Sequence, residues 1–213
     1  QSTTGIGIAA AASVNFVSDH AEAAVRAPVV VADALSVTAD HNALIGAGAG
    51  GLASAKATAE SANADPGSDQ KAVALAGAFS WNQIESRTTA VVEGSSVSLR
   101  AQPLAESTAA PLLQRLTIEA LSTGEIFTAA AGLGGAVAKG KPDGGRTLAG
   151  SLAGSVSYNR IDTGTQALLL DSAVLMAAGT VAGTRSDVRV HALDDASIFA
   201  VAGSVALSLA FFS

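Results

Sequence analysis

A five-residue pattern that occurs three times constrains the fold of this chain more than any other feature. It reads Ser13-Val-Asn15-Phe-Val, Ser80-Trp-Asn82-Gln-Ile and Ser157-Tyr-Asn159-Arg-Ile. A Gly/Ala-rich run precedes each copy, and an alternation of small apolar residues follows it. The three asparagines lie 67 and 77 residues apart, so the chain is built of long, imperfect repeats.

A second landmark recurs in the same order. It reads Leu35-Ser-Val37-Thr-Ala39, then Leu116-Thr-Ile118-Glu-Ala120, then Val188-Arg-Val190-His-Ala192. An isoleucine follows each at the same distance, at positions 45, 126 and 198. Two landmarks in constant order predict one domain over residues 1–213, with repeats at approximately 5–71, 72–147 and 148–213.

Apolar residues alternate with polar ones inside each landmark, which is the pattern of β-strands. Ala90 and Val92 share a face with Val97 and Leu99 if the turn at 93–96 preserves the phase. Alanine also favours helices, but glycine interrupts every long alanine run and no 3.6-residue period is present. The best helix candidate is the stretch 53–64.

The apolar side chains are unusually small. Hydrophobic residues make up 49% of the 213, yet aromatic residues are only 4%, and there are 22 glycines. Small residues suit a narrow and regular interior, so we predict an all-β fold, a parallel β-helix (β-solenoid) of three degenerate repeats with side loops. With coils of about 20–30 residues, each repeat would supply about three coils of a rod roughly 35–50 Å long. An antiparallel β-sandwich is the competing fold.

Charge and cysteine content exclude several classes of function. The net charge of −6 and the scattered Lys and Arg argue against nucleic acid as a partner. The absence of cysteine excludes disulfides and thiolate chemistry. Mean hydropathy is +0.41, but the apolar runs are too short and too often broken by Gly and Ser for a membrane-spanning helix.

The repeats differ mainly where loops are expected. Inserts fall at 102–115 and 179–187 within the second and third repeats, and at 56–71 and 139–147 between repeats. The inserts between repeats contain much of the Lys and Asp, and we expect them to be exposed on one side of a regular body.

The aligned pattern resembles the repeats of very large bacterial surface proteins, namely β-helical adhesins of the filamentous-haemagglutinin-like and leukotoxin-like kinds and autotransporter-type exoproteins. The resemblance covers nearly the whole chain. It implies a right-handed parallel β-helix, export to the bacterial surface or the extracellular space, and a role as a stalk, spacer or adhesive fibre. No Gly-Gly-x-Gly-x-Asp nonapeptide is present, so calcium binding is not implied.

The polar residues offer few candidates for chemistry. Asn15, Asn82 and Asn159 are the sharpest repeated positions, and we interpret them as structural markers whose amides bond to the backbone at coil corners. His20, His41 and His191 fall at different positions of the repeat and are interpreted as surface residues. Asp194 and Asp195 form the best acidic pair, and we interpret them as turn residues.

The glycine runs 46–51 and 132–135 lack the Lys-Ser/Thr of a phosphate-binding loop and are interpreted as packing glycines. No Gly-x-Ser-x-Gly nucleophile motif occurs. We therefore expect no enzyme activity, no cofactor and no metal.

The expected partners are neighbouring copies, or further repeats of the same protein, at exposed solenoid ends. The apolar stretch 205–213 has no polar cap, which favours a chain that continues or a subunit that stacks end to end. Two alternatives stay open: a β-helical polysaccharide-degrading enzyme using Asp194 and Asp195, and glycan binding by the loops 56–71 and 102–115.

Overall fold

The computed structural model describes residues 2–58, 68–100, 113–141, 145–176 and 185–212. Within these ranges the regular structure is entirely β. The strands are β1 (Thr3–Val25), β2 (Val29–Ala32), β3 (Ala34–Thr58), β4 (Gln70–Glu93), β5 (Ser96–Leu99), β6 (Leu113–Gly140), β7 (Thr147–Leu170), β8 (Ala173–Met176) and β9 (Arg185–Phe212). The helix candidate at 53–64 is a strand as far as Thr58, and its remaining residues lie outside the described ranges.

The strands form three parallel three-stranded sheets. Sheet 1 contains β1-β4-β7, sheet 2 contains β2-β5-β8 and sheet 3 contains β3-β6-β9. Each repeat therefore contributes one strand to every sheet, and the same residue of successive repeats stacks along one axis. The predicted parallel β-solenoid is confirmed, and the antiparallel sandwich is excluded because all strand pairs in the described part of the chain are parallel.

The size of the coil differs from expectation. Each repeat forms a single coil, not three, because the strands of sheets 1 and 3 are 23–28 residues long. At about 3.3 Å per residue such strands extend about 80 Å, whereas three coils stacked about 4.8 Å apart are only about 15 Å thick. The molecule is a flat plate and not the expected rod.

Sheets 1 and 3 face each other, and the four-residue strands of sheet 2 close the coil at one end. We call sheet 2, together with the adjoining halves of the long strands, the rounded end. We call the other halves of the long strands the blade; it extends from the repeated asparagines to the strand ends farthest from sheet 2. The two parts have different interiors.

The rounded end contains the main hydrophobic core. Val92, Val97, Leu99, Leu116 and Ile118 are completely buried there and pack against one another. Burying side chains of this size stabilises the fold by about 1.5–3 kcal/mol each. The outward positions of this part are mostly polar, so the alternation follows the usual rule of apolar inside and polar outside.

The blade has an interior of small residues. Its core cluster consists of Ala53, Ala55, Ala57, Ala72, Ala74, Ala76, Ala136 and Ala138. At several inward positions even a methyl group does not fit. A Cβ added to Gly51 would lie 2.3 Å from the carbonyl oxygen of Gly77, and one added to Gly7 would lie 2.1 Å from that of Ser54. The two sheets approach each other backbone to backbone in this part.

The packing interpretation of the glycine runs holds for only part of them. Gly51, Gly132 and Gly134 have added-Cβ contacts of 2.3, 2.7 and 3.1 Å with the opposite sheet. In contrast, a Cβ at Gly46 or Gly48 would meet nothing within 4 Å. The second group flattens the outer surface of sheet 3 and does not serve interior packing.

The inserts attach to opposite ends of the plate. Strands β3 and β6, which precede the inserts between repeats, end at the tip of the blade. Residues 101–112 and 177–184 follow β5 and β8 at the rounded end. The expectation that the inserts between repeats are exposed on one side of the body concerns residues outside the described ranges.

Candidate functional site

The repeated asparagines form a ladder inside the plate. Asn15, Asn82 and Asn159 stack in register in sheet 1. The Nδ2 of Asn15 donates to Oδ1 of Asn82 at 2.7 Å, and the Nδ2 of Asn82 donates to Oδ1 of Asn159 at 2.8 Å. Asn82, in the central coil, is completely buried.

A serine two residues earlier supports each rung of the ladder. The Nδ2 groups also donate to Oγ of Ser13, Ser80 and Ser157, at 3.0, 2.9 and 3.0 Å. Residues two apart on a strand lie on the same face, which explains the Ser-x-Asn spacing. The ladder also reaches sheet 3, since Asn159 donates to Oγ1 of Thr128 at 3.3 Å.

The position of these asparagines differs from the sequence-based expectation. They lie in the middle of long strands and not at coil corners, and the bonds described above join side chain to side chain instead of side chain to backbone. The ladder satisfies the amides and faces the interior. Its geometry serves register between coils, because a slip of one residue would point every asparagine outward.

The histidines do not converge. His41 is buried, so the expectation of a surface residue is wrong for it, and its Nε2 lies 3.3 Å from a carboxylate oxygen of Asp19. His20 and His191 lie on the outer surface, beside Glu22 and Glu119 at 3.6 and 3.4 Å. No group of three or more His, Asp or Glu side chains within the described ranges is arranged to hold a metal ion.

The two side chains of the acidic pair lie on opposite faces of one strand. Asp194 and Asp195 lie within β9 and not in a turn. Asp194 stacks on inward Ser122 and accepts a hydrogen bond from Oγ1 of Thr165 at 3.2 Å. Asp195 stacks on the next residue, Thr123, and so faces the other side of the sheet. Two carboxylates on opposite faces do not form an acid/base pair acting on one substrate.

The outward charges of the rounded end form local ion pairs. Arg26 bonds to Glu22 at 2.5 Å and to Glu93 of the next coil at 3.2 Å. The hydrogen bond from Arg26, with its positive charge, lowers the pKa of Glu22. Arg160 bonds to Asp162 at 2.6 Å, which raises the pKa of the guanidinium. All five groups are well exposed, so these pairs contribute little to stability.

The outer surface of the blade is apolar on both sides, a feature that sequence reasoning missed. On sheet 1 it is formed by Ile6, Ile8, Val14, Phe16, Val73, Leu75, Phe79, Trp81, Leu148, Leu152, Val156 and Tyr158. Trp81 and Tyr158 meet edge to face, with ring centroids 5.5 Å apart. On sheet 3, Phe127 stacks on Phe199 at 5.0 Å. We call the twelve-residue surface of sheet 1 the apolar face.

Comparisons with known proteins identify no relative. No protein-family model, no curated protein and no solved structure matches the chain. Among the described residues, the search for a helix long and apolar enough to cross a membrane found none.

Proposed function

We propose that this chain is a structural repeat module of an exported bacterial surface fibre or adhesin, whose plates stack end to end or continue into further repeats. The observation that carries the proposal is the asparagine ladder. The side chains that match between the coils lie inside and bond along the stacking axis, whereas the charged side chains outside differ from coil to coil. Such an arrangement favours continuation of the stack over catalysis.

The open strand edges support stacking. Strands β1, β2 and β3 form one end of the plate, and β7, β8 and β9 form the other, so each end presents unpaired backbone groups over the full width. A second coil set placed on β7–β9 would bring another Asn15 over Asn159. The donor-to-acceptor direction of the ladder would then continue unchanged.

Replacing Ile198 with lysine tests the stacking. Ile198 follows Ile45 and Ile126 in register, and its side chain is 48% exposed at the open edge. The long lysine stem can extend so that its amine reaches water in a single plate. In a stack the amine would be buried against the next coil, so we expect Ile198→Lys to abolish end-to-end growth, measured by sedimentation velocity and electron microscopy.

The neighbouring residue provides the control. Ser197 lies beside Ile198 but faces outward, so Ser197→Lys adds the same charge without entering the stacking surface. We expect this variant to assemble like the parent chain. A parent chain that stays a monomer at high concentration, with no contacts between plate ends, would refute the stacking. Equal loss of assembly in both variants would assign the effect to charge alone.

A further inference from the structure

The apolar face is larger than the apolar patches that monomeric proteins normally expose. Its twelve side chains are between 37% and 72% exposed, and four of them belong to the central coil, so further coils at the plate ends would not cover them. With about 150 Å² or more per large side chain, the face presents on the order of 1,000 Å². The largest apolar patch of a typical monomer is about 300–600 Å², and a stable interface buries about 800 Å² per partner.

The face has relief that repeats along the stacking axis. A ridge is formed by Ile8, Leu75 and Leu152, which stack in register. Two residues further along the strands, about 7 Å away, lies a trough formed by Ala10, Gly77 and Gly154. A Cβ added to Gly77 or Gly154 would meet nothing within 4 Å, so none of the described residues fills this trough.

We propose that the apolar face pairs with the same face of a second copy of this chain, about a two-fold axis parallel to the stacking axis. An axis placed between ridge and trough puts the ridge of each copy into the trough of the other. Leu75 then faces Gly77, Leu152 faces Gly154, and the first coil does the same with Ile8 and Ala10. An interface of this kind is self-complementary, as two-fold symmetry requires.

The neighbouring rows also match under this symmetry. In the outer coils Ile6 comes opposite Ala12 and Gly150 comes opposite Val156, so a large residue meets a small one. In the central coil two large apolar residues, Val73 and Phe79, come opposite each other. Lys71, at the edge of the face, comes over the ring of Trp81, where a cation is attracted to the aromatic surface. The rows next to the ridge and trough thus pair apolar residues with apolar or small ones under the same axis.

A second copy explains the face better than a lipid surface does. The five outward rows from Ile6 to Val14, with their equivalents in β4 and β7, contain no charged residue. Proteins that bind anionic membranes by an apolar surface surround it with clusters of Lys and Arg. Here the chain carries a net charge of −6, and the rows on either side of these five contribute one lysine and one arginine, Lys71 and Arg160.

The test fills the trough. Gly77→Leu combined with Gly154→Leu adds two side chains at positions where the fold leaves space, but it blocks the partner's ridge. Sedimentation equilibrium in an Ile198→Lys background, which prevents end-to-end growth, measures side-by-side pairing alone. We expect the pair of substitutions to raise the dissociation constant at least about tenfold.

A matched control and a complementing variant decide the interpretation. Gly46→Leu with Gly48→Leu also fills open positions, but on sheet 3, and should leave the pairing unchanged. Leu75→Ala with Leu152→Ala removes the ridge and should weaken pairing by itself. Mixed with the trough-filled chain, it should restore pairing, because each copy then supplies what the other lacks.

Three outcomes would overturn the proposal. The first is that the Ile198→Lys chain is a monomer at every concentration. The second is that the two weakened variants fail to pair with each other. The third is that the face binds vesicles of phosphatidylcholine and phosphatidylglycerol more strongly than it binds a second copy. None of these results bears on end-to-end stacking, which uses the strand edges and is measured in the parent chain.

Discussion

Replacement of Asn82 by leucine is expected to lower the free energy of unfolding by about 3 kcal/mol. Asn82 accepts from Asn15 and donates to Ser80 and Asn159 in a completely buried position. Leucine has a similar shape but bonds to none of them. Oγ of Ser80 and Oδ1 of Asn159 then lose the Asn82 donor, and Nδ2 of Asn15 keeps only its bond to Ser13. Each buried polar group left unpaired costs about 1–3 kcal/mol. Urea unfolding followed by circular dichroism measures the loss.

Two further variants separate the ladder from the general effect of substitution. Gln83 is adjacent to Asn82 on the strand but faces outward, and Gln83→Leu should change stability by less than about 1 kcal/mol. Replacing Asn15, Asn82 and Asn159 together by leucine removes every member of the ladder. Because no amide then stays unpaired, we expect the triple variant to be more stable than Asn82→Leu. An effect of Asn82→Leu no larger than that of Gln83→Leu would contradict the structural role of the ladder.

The repeat register could be predicted from the sequence because it depends on matching residues. Positions that pair in the structure, such as Ile45 with Ile126, are the positions that align between repeats. Coil length could not be obtained in the same way. A period of two residues shows that a segment is a strand but not where the strand ends, and the tight turn at Gly94 has no counterpart within the 25 residues of β3.

The side of the sheet that faces inward was the second feature missed. Local patterns in the blade place large residues such as Leu75 on one face and small ones such as Ala74 on the other, and the usual rule would bury the large ones. Counting in steps of two from Val92, which is in the core, back to Ala74 places the small residues on the inward face instead. The same counting from Val37 would have placed His41 inside. The distance between the two sheets decides which side chains face inward, and this distance cannot be read from one strand alone.

Replacement of Gly51 by alanine is expected to cost at least about 4 kcal/mol. The new Cβ would lie 2.3 Å from the carbonyl oxygen of Gly77 and 3.1 Å from its carbonyl carbon. Both are backbone atoms of a central strand that pairs on both sides, so neither can move without breaking a ladder of hydrogen bonds. The sheets must separate, and the surrounding alanines are too small to fill the gap.

Gly48→Ala is the matched control, three residues earlier on the same strand. A Cβ there meets nothing within 4 Å, so we expect the reduced freedom of the unfolded chain to stabilise the fold by about 0.5–1 kcal/mol. Both changes add one methyl group to a strand glycine, and the difference between their urea midpoints therefore reports sheet spacing and not backbone entropy. Equal midpoints would mean that the blade adapts to a methyl group between its sheets. In that case the outward position of the large residues in the blade would need another cause, because the close spacing of the sheets can cause it only if the two backbones are in contact.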